Sequence, residues 1–460
     1  MHRWLVWNVL FPLHEWAKGH PTFRILREME AADSLPAKEL EALRSRKLRN
    51  LMEYGYKHVP YVQKILREAS LTPADVGGPA GLVRLPVMRK SDVRQQRGEL
   101  RSRTAGKLTT FSTGGSTGEP LLYDLPAERI ASWIACRQRV MRWWGLSAGD
   151  KEYAIWGSPV EVTRQDHIRN IRDRLLATRL LSAFEMNEAA MDRYLRLLLE
   201  GDCRTIISYP SSIYLLCLYA RRRGLDLRRT GVKVVFVTGE VLFPHQREVI
   251  ADTLGCGVAN GYGGRDSGFI CHECPRGGMH IMADATIVEI LDSQGNRVPD
   301  GETGEIVITD LYSREVPFIR YATGDLGAMS PGRCACGRAL PLIDRIQGRT
   351  TDFIVAPDGT ILHALSVIYI LRELDGVEQF RIRQKAVNCL HVELVRNTRF
   401  RPEHETRIRD GLRKRLHADI EVAIEYLAAL PPERSGKFRH VISEVPVDEV
   451  LRPKSVPAGC

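Results

Sequence analysis

The sequence predicts an α/β protein in which a large domain with parallel sheets covered by helices precedes a small α+β domain. Residues 187–261 alternate helical and strand patterns, which is typical of a parallel sheet covered by helices. After Gly348 the pattern changes to short strands and one amphipathic helix. We therefore expect a large domain over residues 1–348, with a helical N-terminal segment over about 1–100, and a small domain over 349–460.

The composition is that of an ordinary globular protein. The chain has 460 residues, of which 44% are hydrophobic and 27% charged, and this excludes disordered, collagen-like and coiled-coil proteins. The longest apolar stretch, residues 206–220, is shorter than the roughly 20 residues that a membrane span needs. Asn8 and Pro12 interrupt the apolar start of the chain, so we interpret Met1–Leu13 as a docking segment and not as a signal peptide. We expect a cytoplasmic protein.

The charge balance predicts a preference for small anionic substrates. The formal net charge is +10, from 66 basic and 56 acidic residues, and the excess is spread along the chain. No basic stripe is interleaved with aromatic residues, so we predict no nucleic-acid partner, and a basic surface attracts nucleotides instead. A peripheral membrane contact is the less favoured interpretation of five apolar residues near the start, Trp4, Leu5, Trp7, Leu10 and Phe11. The oligomeric state stays open, a homodimer included.

The secondary-structure elements follow from hydrophobic periodicity. In the first hundred residues one helical face carries Leu40, Leu43, Leu48, Leu51 and Met52. Asn187 is expected to cap a helix that runs to Leu199, with Gly201 ending it. The following elements are expected at Thr205–Ser208 (strand), Ser212–Arg222 (helix), Lys233–Val237 (strand), His245–Leu254 (helix) and Val258–Gly261 (strand). Ligands bind at the carboxyl ends of parallel strands, so the loops after Val237 and Gly261 are candidate binding loops.

The sequence of the C-terminal region predicts a small α+β domain. We expect a hairpin over Phe353–Leu362 around Pro357-Asp358-Gly359, followed by strands over Phe380–Arg383 and Leu390–Leu394. A helix is predicted because apolar residues recur every four positions, at Ile408, Leu412 and Leu416. A half-buried strand is predicted by the alternation of Ile420, Val422 and Ile424 with Glu421, Ala423 and Glu425.

The most informative loop is rich in glycine and hydroxyl side chains. Residues 111–120 read Phe-Ser-Thr-Gly-Gly-Ser-Thr-Gly-Glu-Pro. Glycines let backbone N–H groups approach a ligand closely, and the hydroxyls add donors for phosphate oxygens. No Gly-Lys-Ser/Thr ends the segment, so it is not a Walker loop.

This loop resembles the phosphate-binding loop of adenylate-forming enzymes, the superfamily of acyl- and aryl-CoA synthetases. Residues 262–266 are similar to the family's Tyr-Gly-x-Ser/Thr-Glu segment, and residues 321–325 match its Tyr-x-Thr-Gly-Asp segment. Residues 348–352 resemble its Gly-Arg-x-Asp-Asp hinge, and Ser435-Gly436-Lys437 its catalytic lysine loop. Within the superfamily, residues 85–90, 273–280 and 333–338 resemble the phenylacetate-CoA ligases, a group with capsule-locus and coenzyme F390 synthetase-like members.

The resemblance implies an enzyme that uses ATP and Mg²⁺ to activate a carboxylic acid as its acyl-adenylate and then passes the acyl group to coenzyme A. The family's fold has a large adenylate-forming domain and a small mobile domain that carries the catalytic lysine, here Lys437. The implied ATP contacts are Ser112, Thr113, Gly114, Gly115, Ser116, Thr117 and Gly118 for phosphates, Thr238, Gly239, Glu240, Tyr262 and Gly263 around adenine, and Asp325 with Arg349 near the ribose. Trp156, Tyr209 and Tyr214 are candidate aromatic residues of the acid pocket.

Three departures from the family pattern leave alternatives open. Asp266 replaces the glutamate that binds magnesium, and Thr351 replaces the first acidic hinge residue. Residues 355–359 replace an Arg-Gly segment that helps to build the CoA channel. One alternative is therefore an adenylating enzyme with another acceptor, or one that stops at nucleotidyl transfer. Another is a catalytically impaired, zinc-stabilised protein of polysaccharide biosynthesis.

Two close cysteine groups predict a metal site rather than disulfides. Cys334-x-Cys336, with Cys274 and His280, gives a Cys₃His set that suits tetrahedral zinc. Cys271 forms a Cys-x-x-Cys pair with Cys274 and is the alternative to His280. Four protein ligands leave no open position, so we expect a structural zinc, as the resemblance to this group also implies.

Overall fold

The computed structural model describes residues 2–113, 121–157, 172–183, 186–292, 294–347, 353–358, 360–372, 374–430 and 440–445. The strands, labelled in chain order, are β1 Leu108–Thr113, β2 Leu121–Pro126, β3 Glu152–Trp156, β4 Thr178–Ser182, β5 Thr205–Ser208, β6 Val234–Thr238, β7 Gly257–Gly264, β8 Gly268–Glu273, β9 Met279–Ile281, β10 Thr286–Leu291, β11 Gly304–Asp310, β12 Tyr321–Met329, β13 Ile343–Gln347, β14 Phe353–Val355, β15 Ile361–His363, β16 Val377–Ala386, β17 Cys389–Arg396, β18 Glu421–Tyr426 and β19 Val441–Ser443.

Helices precede the first strands and then alternate with the strands of the large sheet. The α-helices are His2–Leu5, Phe11–Ala17, Thr22–Ala32, Ala37–His58, Pro60–Glu68, Pro79–Leu82, Lys90–Gln95, Ala127–Trp143, Glu188–Glu200, Pro210–Arg222, Pro244–Leu254, Leu365–Arg372 and Pro402–Arg415. A π-helical stretch, Val6–Leu10, joins the first two, and short 3₁₀ helices lie at Pro73–Val76 and Leu227–Thr230. In the described part of the chain, every helix is too short or too polar to span a bilayer.

A seven-stranded sheet forms the centre of the large domain, with the strand order β4-β3-β5-β6-β7-β8-β9. Its first five strands are parallel, and β7, β8 and β9 continue it antiparallel. The parallel arrangement continues from β4 to β7 because β4, β5 and β6 are each followed by a helix that returns the chain to the same edge. All its carboxyl ends therefore meet at one edge, where the site is built.

The predicted elements of this sheet are confirmed, with one correction. The Asn187 side chain accepts a hydrogen bond of 2.8 Å from the backbone N–H of Ala190, and the capped helix ends before Gly201. The segment after Gly261 is not a loop, because β7 continues to Gly264 and pairs with β8. Tyr262 and Gly263 are therefore held by a strand ladder, and the turn begins only at Arg265.

The predicted α+β character of the C-terminal region is also confirmed. Strands β14 and β15 form the predicted hairpin, and Gly359 at its turn lies outside the described residues. A four-stranded sheet with the order β18-β17-β16-β19 packs a buried core that includes Ile408 and Leu412 of the predicted helix. Gly348 and Thr351 lie outside the described residues, so the predicted boundary between the two domains stays a prediction.

A buried ion-pair network ties the N-terminal helices to the large sheet. The Arg139 guanidinium is fully buried, and it lies 2.7 Å from a carboxylate oxygen of Asp33 and 2.7 Å from one of Asp284. Burial disfavours the charged guanidinium, but the two carboxylates outweigh this and raise the pKa of Arg139. Asp33 directly follows the helix Thr22–Ala32, so this pairing fixes that helix against the helix Ala127–Trp143.

Candidate functional site

The glycine-rich segment is flanked by a two-stranded antiparallel hairpin. Ser112 and Thr113 pair with Leu122 and Leu121 at the end of the hairpin ladder. The predicted phosphate contacts Gly114, Gly115, Ser116, Thr117 and Gly118 lie outside the described residues. The hairpin nevertheless brings the two ends of the segment together.

A buried carboxylate that sequence reasoning missed fixes the base of this hairpin. Asp124 on β2 is 1% exposed and accepts a 2.7 Å hydrogen bond from the Thr110 hydroxyl on β1. Arg97 and Arg101 each approach the same carboxylate to 2.7 Å. Burial raises the pKa of Asp124, but these hydrogen bonds outweigh it and lower the pKa to about 2. An isolated acidic residue in a strand carries no pattern, so only the tertiary contacts reveal this role.

The carboxyl ends of β6 and β7 position the predicted adenine segment. Gly239 follows β6 with a φ of +87°, and a Cβ there would lie 3.1 Å from the Tyr209 ring. Both the positive φ and the close approach require glycine. The neighbouring Glu240 accepts a 3.2 Å hydrogen bond from the Ser211 backbone N–H, which orients its carboxylate at the cavity wall.

Tyr262, Thr323 and Asp325, from three separate motifs, meet at one point. The Tyr262 hydroxyl oxygen lies 3.0 Å from Oδ2 of Asp325 and 3.2 Å from Oγ1 of Thr323. The Thr323 hydroxyl donates to the Ile306 carbonyl and accepts from the Asp325 backbone N–H, so it orients both partners. Burial first, and then the adjacent Asp325 charge, raise the pKa of Tyr262 well above its usual range.

The Asp266 carboxylate is already engaged by protein groups. Oδ2 accepts a 2.6 Å hydrogen bond from the Tyr321 hydroxyl and lies 3.7 Å from Nζ of Lys90, while Oδ1 accepts from the Ser267 backbone N–H. Magnesium is bound through carboxylate oxygens, so the proposed ligand role would use these same atoms. The magnesium role of Asp266 stays a prediction.

These residues line a polar cavity of about 770 Å³ at the edge of the sheet. The predicted residues on its wall are Gly239, Glu240, Tyr262, Gly263, Asp266 and Asp325. Arg349 and Lys437 lie outside the described residues, so their predicted contacts with ATP in this cavity stay predictions.

A second, largely apolar cavity of about 460 Å³ adjoins the first. Trp156 and Tyr209 stack at its wall with ring centroids 4.0 Å apart. Thr238 and Tyr369, a residue of the C-terminal region, also line it. Tyr214 is not among the lining residues, because its ring packs against His245 instead. Both cavities share Gly239 and residues 261–265 on their walls, so a molecule at this junction contacts both.

The predicted zinc ligands come together in space. The ligand atoms of Cys274, His280, Cys334 and Cys336 all lie within 4.8 Å of one another. Sγ of Cys274 lies 3.5 Å from Sγ of Cys334, and Sγ of Cys336 lies 3.2 Å from Nε2 of His280. The alternative ligand Cys271 does not join them, because its side chain is fully buried in the hydrophobic core under the sheet.

The surroundings of the four ligands suit a metal. Nδ1 of His280 lies 3.3 Å from the Leu340 carbonyl, and the hydrogen bond between them leaves Nε2 free to face the sulfur atoms. Backbone N–H groups of Arg276 and Cys336 point to the sulfur atoms of Cys274 and Cys334. A Cβ at Gly278 would lie 2.5 Å from Sγ of Cys334, so the turn leaves room only for glycine.

Comparison with known proteins places this geometry in a family. Residues 354–444 match the CapK C-terminal domain family. The chain is 26% identical over 330 residues to a phenylacetate-coenzyme A ligase of Thermus thermophilus, covering 70% of this chain and 73% of that protein. It is 21% identical over 418 residues to protein CapK of Staphylococcus aureus, covering 88% and 90%. By these matches the chain groups with the phenylacetate-CoA ligase and CapK-like proteins of the adenylate-forming family.

Solved structures agree on the fold of this chain. A 2-hydroxyisobutyryl-CoA ligase in complex with 2-HIB-AMP and CoA in the thioesterification state superimposes with a TM-score of 0.63 at 19% identity, covering 91% of this chain and 93% of that one. The same ligase in the postadenylation state gives a TM-score of 0.59. The predicted family and the predicted α/β fold are thus confirmed. The match to the C-terminal domain family covers residues 354–444, within the region 349–460 that was predicted to form the small domain.

Proposed function

We propose that the protein uses ATP to convert a carboxylic acid into its acyl-adenylate and then transfers the acyl group to coenzyme A. The observation that carries this proposal is the pair of adjoining cavities, one polar and one apolar, which share the end of β7. Their volumes are within the range of ordinary small-molecule sites. Nucleotide in the polar cavity and an acid with an aryl or short acyl group in the apolar one would bring the carboxylate to the α-phosphate.

Positioning and charge are the main contributions that the protein makes to such a reaction. Asp325 would accept hydrogen bonds from the ribose hydroxyls, while Tyr262 holds its carboxylate in place at 3.0 Å. The ring of Tyr262 would lie against adenine, with Gly239 and Glu240 beside it. The hairpin β1–β2 would hold the phosphate-binding segment, and Lys437 would bring an ammonium group to the oxygens that gain charge.

CoA is the proposed acceptor because relatives of this group carry CoA ligase names and a ligase of the same fold binds CoA together with an acyl-AMP. The change in residues 355–359 concerns the segment that builds the CoA channel in the family, so an acceptor other than CoA is the second candidate. The third candidate is the catalytically impaired, zinc-stabilised protein of polysaccharide biosynthesis that the resemblance to capsule-locus members left open.

We also propose that the Cys₃His cluster holds a structural zinc ion. The four donors suit tetrahedral zinc and leave no position for a substrate. The cluster also contacts the N-terminal helices through Arg338, two residues after Cys336. Nε of Arg338 lies 3.4 Å from Oδ1 of Asp33, and its guanidinium group lies over the Trp143 ring. The Trp143 ring in turn packs edge-on against His280.

The test is a panel of carboxylic acids screened for ATP-dependent pyrophosphate release, with and without CoA. An acyl-CoA thioester as product supports the full proposal, and acid-dependent ATP–pyrophosphate exchange without a thioester favours another acceptor. ATP binding without acid-dependent pyrophosphate release would refute the enzymatic proposal. Lys437→Ala should lower the rate about a hundredfold with little change in stability, whereas Lys414→Ala, on the helix Pro402–Arg415, is the matched control.

A further inference from the structure

Arg265 is a cation at the junction of the two cavities. It follows β7 directly, its side chain is exposed, and it lines both cavities. It makes no hydrogen bond or ion pair with any residue that the structure describes. Three other cations on the polar wall are paired, Lys90 with Asp266 at 3.7 Å, Arg247 with Glu273 at 2.7 Å and Arg345 with Asp344 at 3.4 Å.

The chemistry of the junction suits a guanidinium group. In the proposed reaction two anions, the carboxylate of the acid and the α-phosphate of ATP, must approach within bonding distance there. A planar guanidinium presents a fork of N–H donors that binds carboxylate and phosphate oxygens in a bidentate manner. The position is also one where this chain departs from its family, because Arg265 stands where the resembling segment has Ser or Thr.

We propose that Arg265 binds the reacting carboxylate and the α-phosphate together and keeps hold of the acyl-adenylate phosphate afterwards. In this step a carboxylate oxygen attacks the α-phosphorus, the bond from that phosphorus to the pyrophosphate oxygen breaks, and pyrophosphate leaves with the electron pair. No proton is transferred. The inference rests on the proposed function and adds a residue that supplies positive charge at the bond being made.

The test compares Arg265→Gln and Arg265→Lys with the wild type in acid-dependent pyrophosphate release. We expect Arg265→Gln to lower kcat/KM for the acid about a hundredfold, and Arg265→Lys, which keeps the charge but not the fork, about tenfold. Binding of ATP alone, measured by equilibrium dialysis, should change less than about threefold. Arg229→Gln, at an exposed arginine on the 3₁₀ helix Leu227–Thr230, is the control for removing a surface guanidinium.

The outcomes separate this inference from the function itself. A wild type that releases no pyrophosphate with any acid refutes the proposed function. An active wild type with an Arg265→Gln variant within about threefold of it refutes the role of Arg265. So does a variant that loses affinity for ATP alone by the same factor as it loses kcat/KM, because Arg265 would then bind only nucleotide.

A different observation, independent of the reaction, concerns the first helical segment, residues 2–17. One face of it is anchored, since Val6, Phe11 and Glu15 are buried and the Trp7 ring packs against Phe23. The other face presents five large apolar side chains to solvent, Trp4 (66% exposed), Leu5 (43%), Val9 (42%), Leu13 (57%) and Trp16 (78%). An exposed apolar cluster of this size marks an interaction surface.

The charges around this surface indicate what covers it. The exposed charged side chains next to it are Lys18 and Arg3, whose Nε lies 3.3 Å from Oδ2 of Asp150, whereas the acidic Glu15 is 1% exposed and accepts from Thr22. A second copy of the same face would bring like charges together. An anionic lipid surface complements them, and tryptophan side chains are favoured where bilayer and water meet.

We infer that the segment 2–17 docks the protein on the surface of an anionic membrane without crossing it. Co-sedimentation with vesicles of phosphatidylcholine and phosphatidylglycerol should capture the wild type, and pure phosphatidylcholine much less. Trp4→Ser with Trp16→Ser should reduce the bound fraction about tenfold. Tyr56→Ser, which removes an exposed aromatic residue elsewhere, is the control.

Three results would overturn this second inference. The wild type could fail to sediment with anionic vesicles, or the double variant could sediment as well as the wild type. A concentration-dependent dimer in light scattering that Trp16→Ser abolishes would instead identify the face as a contact between two copies of the chain.

Discussion

The Tyr262 hydroxyl donates a 3.0 Å hydrogen bond to Oδ2 of Asp325, across 63 positions of sequence. A carboxylate can only accept, so the direction of this bond is fixed. The contact joins the end of the parallel strands, at β7, to β12 of a separate antiparallel sheet with the strand order β10-β11-β12-β13. It therefore holds the carboxylate proposed to bind ribose at a set distance from the ring proposed to bind adenine.

Tyr262→Phe should weaken ATP binding without unfolding the protein. The change removes one hydrogen bond to a charged group, which contributes about 1.5–3 kcal/mol, so we expect KM for ATP to rise roughly tenfold or more. The measurement is ATP-dependent pyrophosphate release at varied ATP. Tyr219→Phe is a matched control, because its hydroxyl also lies 3.0 Å from an aspartate, Asp192, away from both cavities. Equal effects in the two variants would contradict the role of Tyr262.

Asp124→Asn should change how stability depends on pH. The pKa of Asp124 is lowered from 3.8 to about 2 in the folded protein, so its carboxylate contributes stability above about pH 4. That contribution is lost as the pH falls from about 4 towards 2. The free energy of unfolding of the wild type, from urea titrations, should exceed that of the variant at neutral pH, and the difference should shrink below pH 4.

The control for this prediction is Asp375→Asn, at an exposed carboxylate paired only loosely with Arg399. Its difference from the wild type should be small at every pH. Parallel pH profiles for the wild type and Asp124→Asn would show that Asp124 is not the acid-sensitive anchor of the hairpin.

Cys334→Ser with Cys336→Ser should release zinc and lower the melting temperature. Two of four ligands are lost, and a structural zinc site contributes directly to folding free energy. Metal analysis should find about one zinc ion per wild-type chain and none in the variant. Cys389→Ser, at a partly exposed thiol on β17, should keep the metal. A wild type that carries no zinc, and whose melting temperature a chelator leaves unchanged, would rule the site out.

Trp156→Ala should weaken binding of the acid and spare ATP. Trp156 stacks on Tyr209 at the wall of the apolar cavity, so the change removes a large contact surface there. We expect KM for the acid to rise roughly tenfold and KM for ATP to change less than about twofold. Tyr214→Ala, which removes an aromatic ring outside the cavity, is the comparison. A larger effect of Tyr214→Ala than of Trp156→Ala on KM for the acid would contradict the assignment of this cavity.

The sequence alone predicted the elements that depend on neighbours along the chain. The helix after Asn187 begins where its cap predicts, because an N-cap bond spans only three residues. Strand Thr205–Ser208 was predicted with its observed bounds, since β-branched residues between turn residues are a local signal. The ordered motifs predicted the family, because each is a short segment whose residue types are fixed by ligand chemistry.

Only the tertiary structure decided which side chains meet. The sequence left Cys271 open as an alternative to His280, but the pleat of β8 turns Cys271 into the hydrophobic core. The pairing of Asp124 with Arg97 and Arg101 and the engagement of Asp266 by Tyr321 depend on contacts between distant segments. Local periodicity specifies which face of an element is buried, whereas the partner that the face receives depends on how the sheets pack.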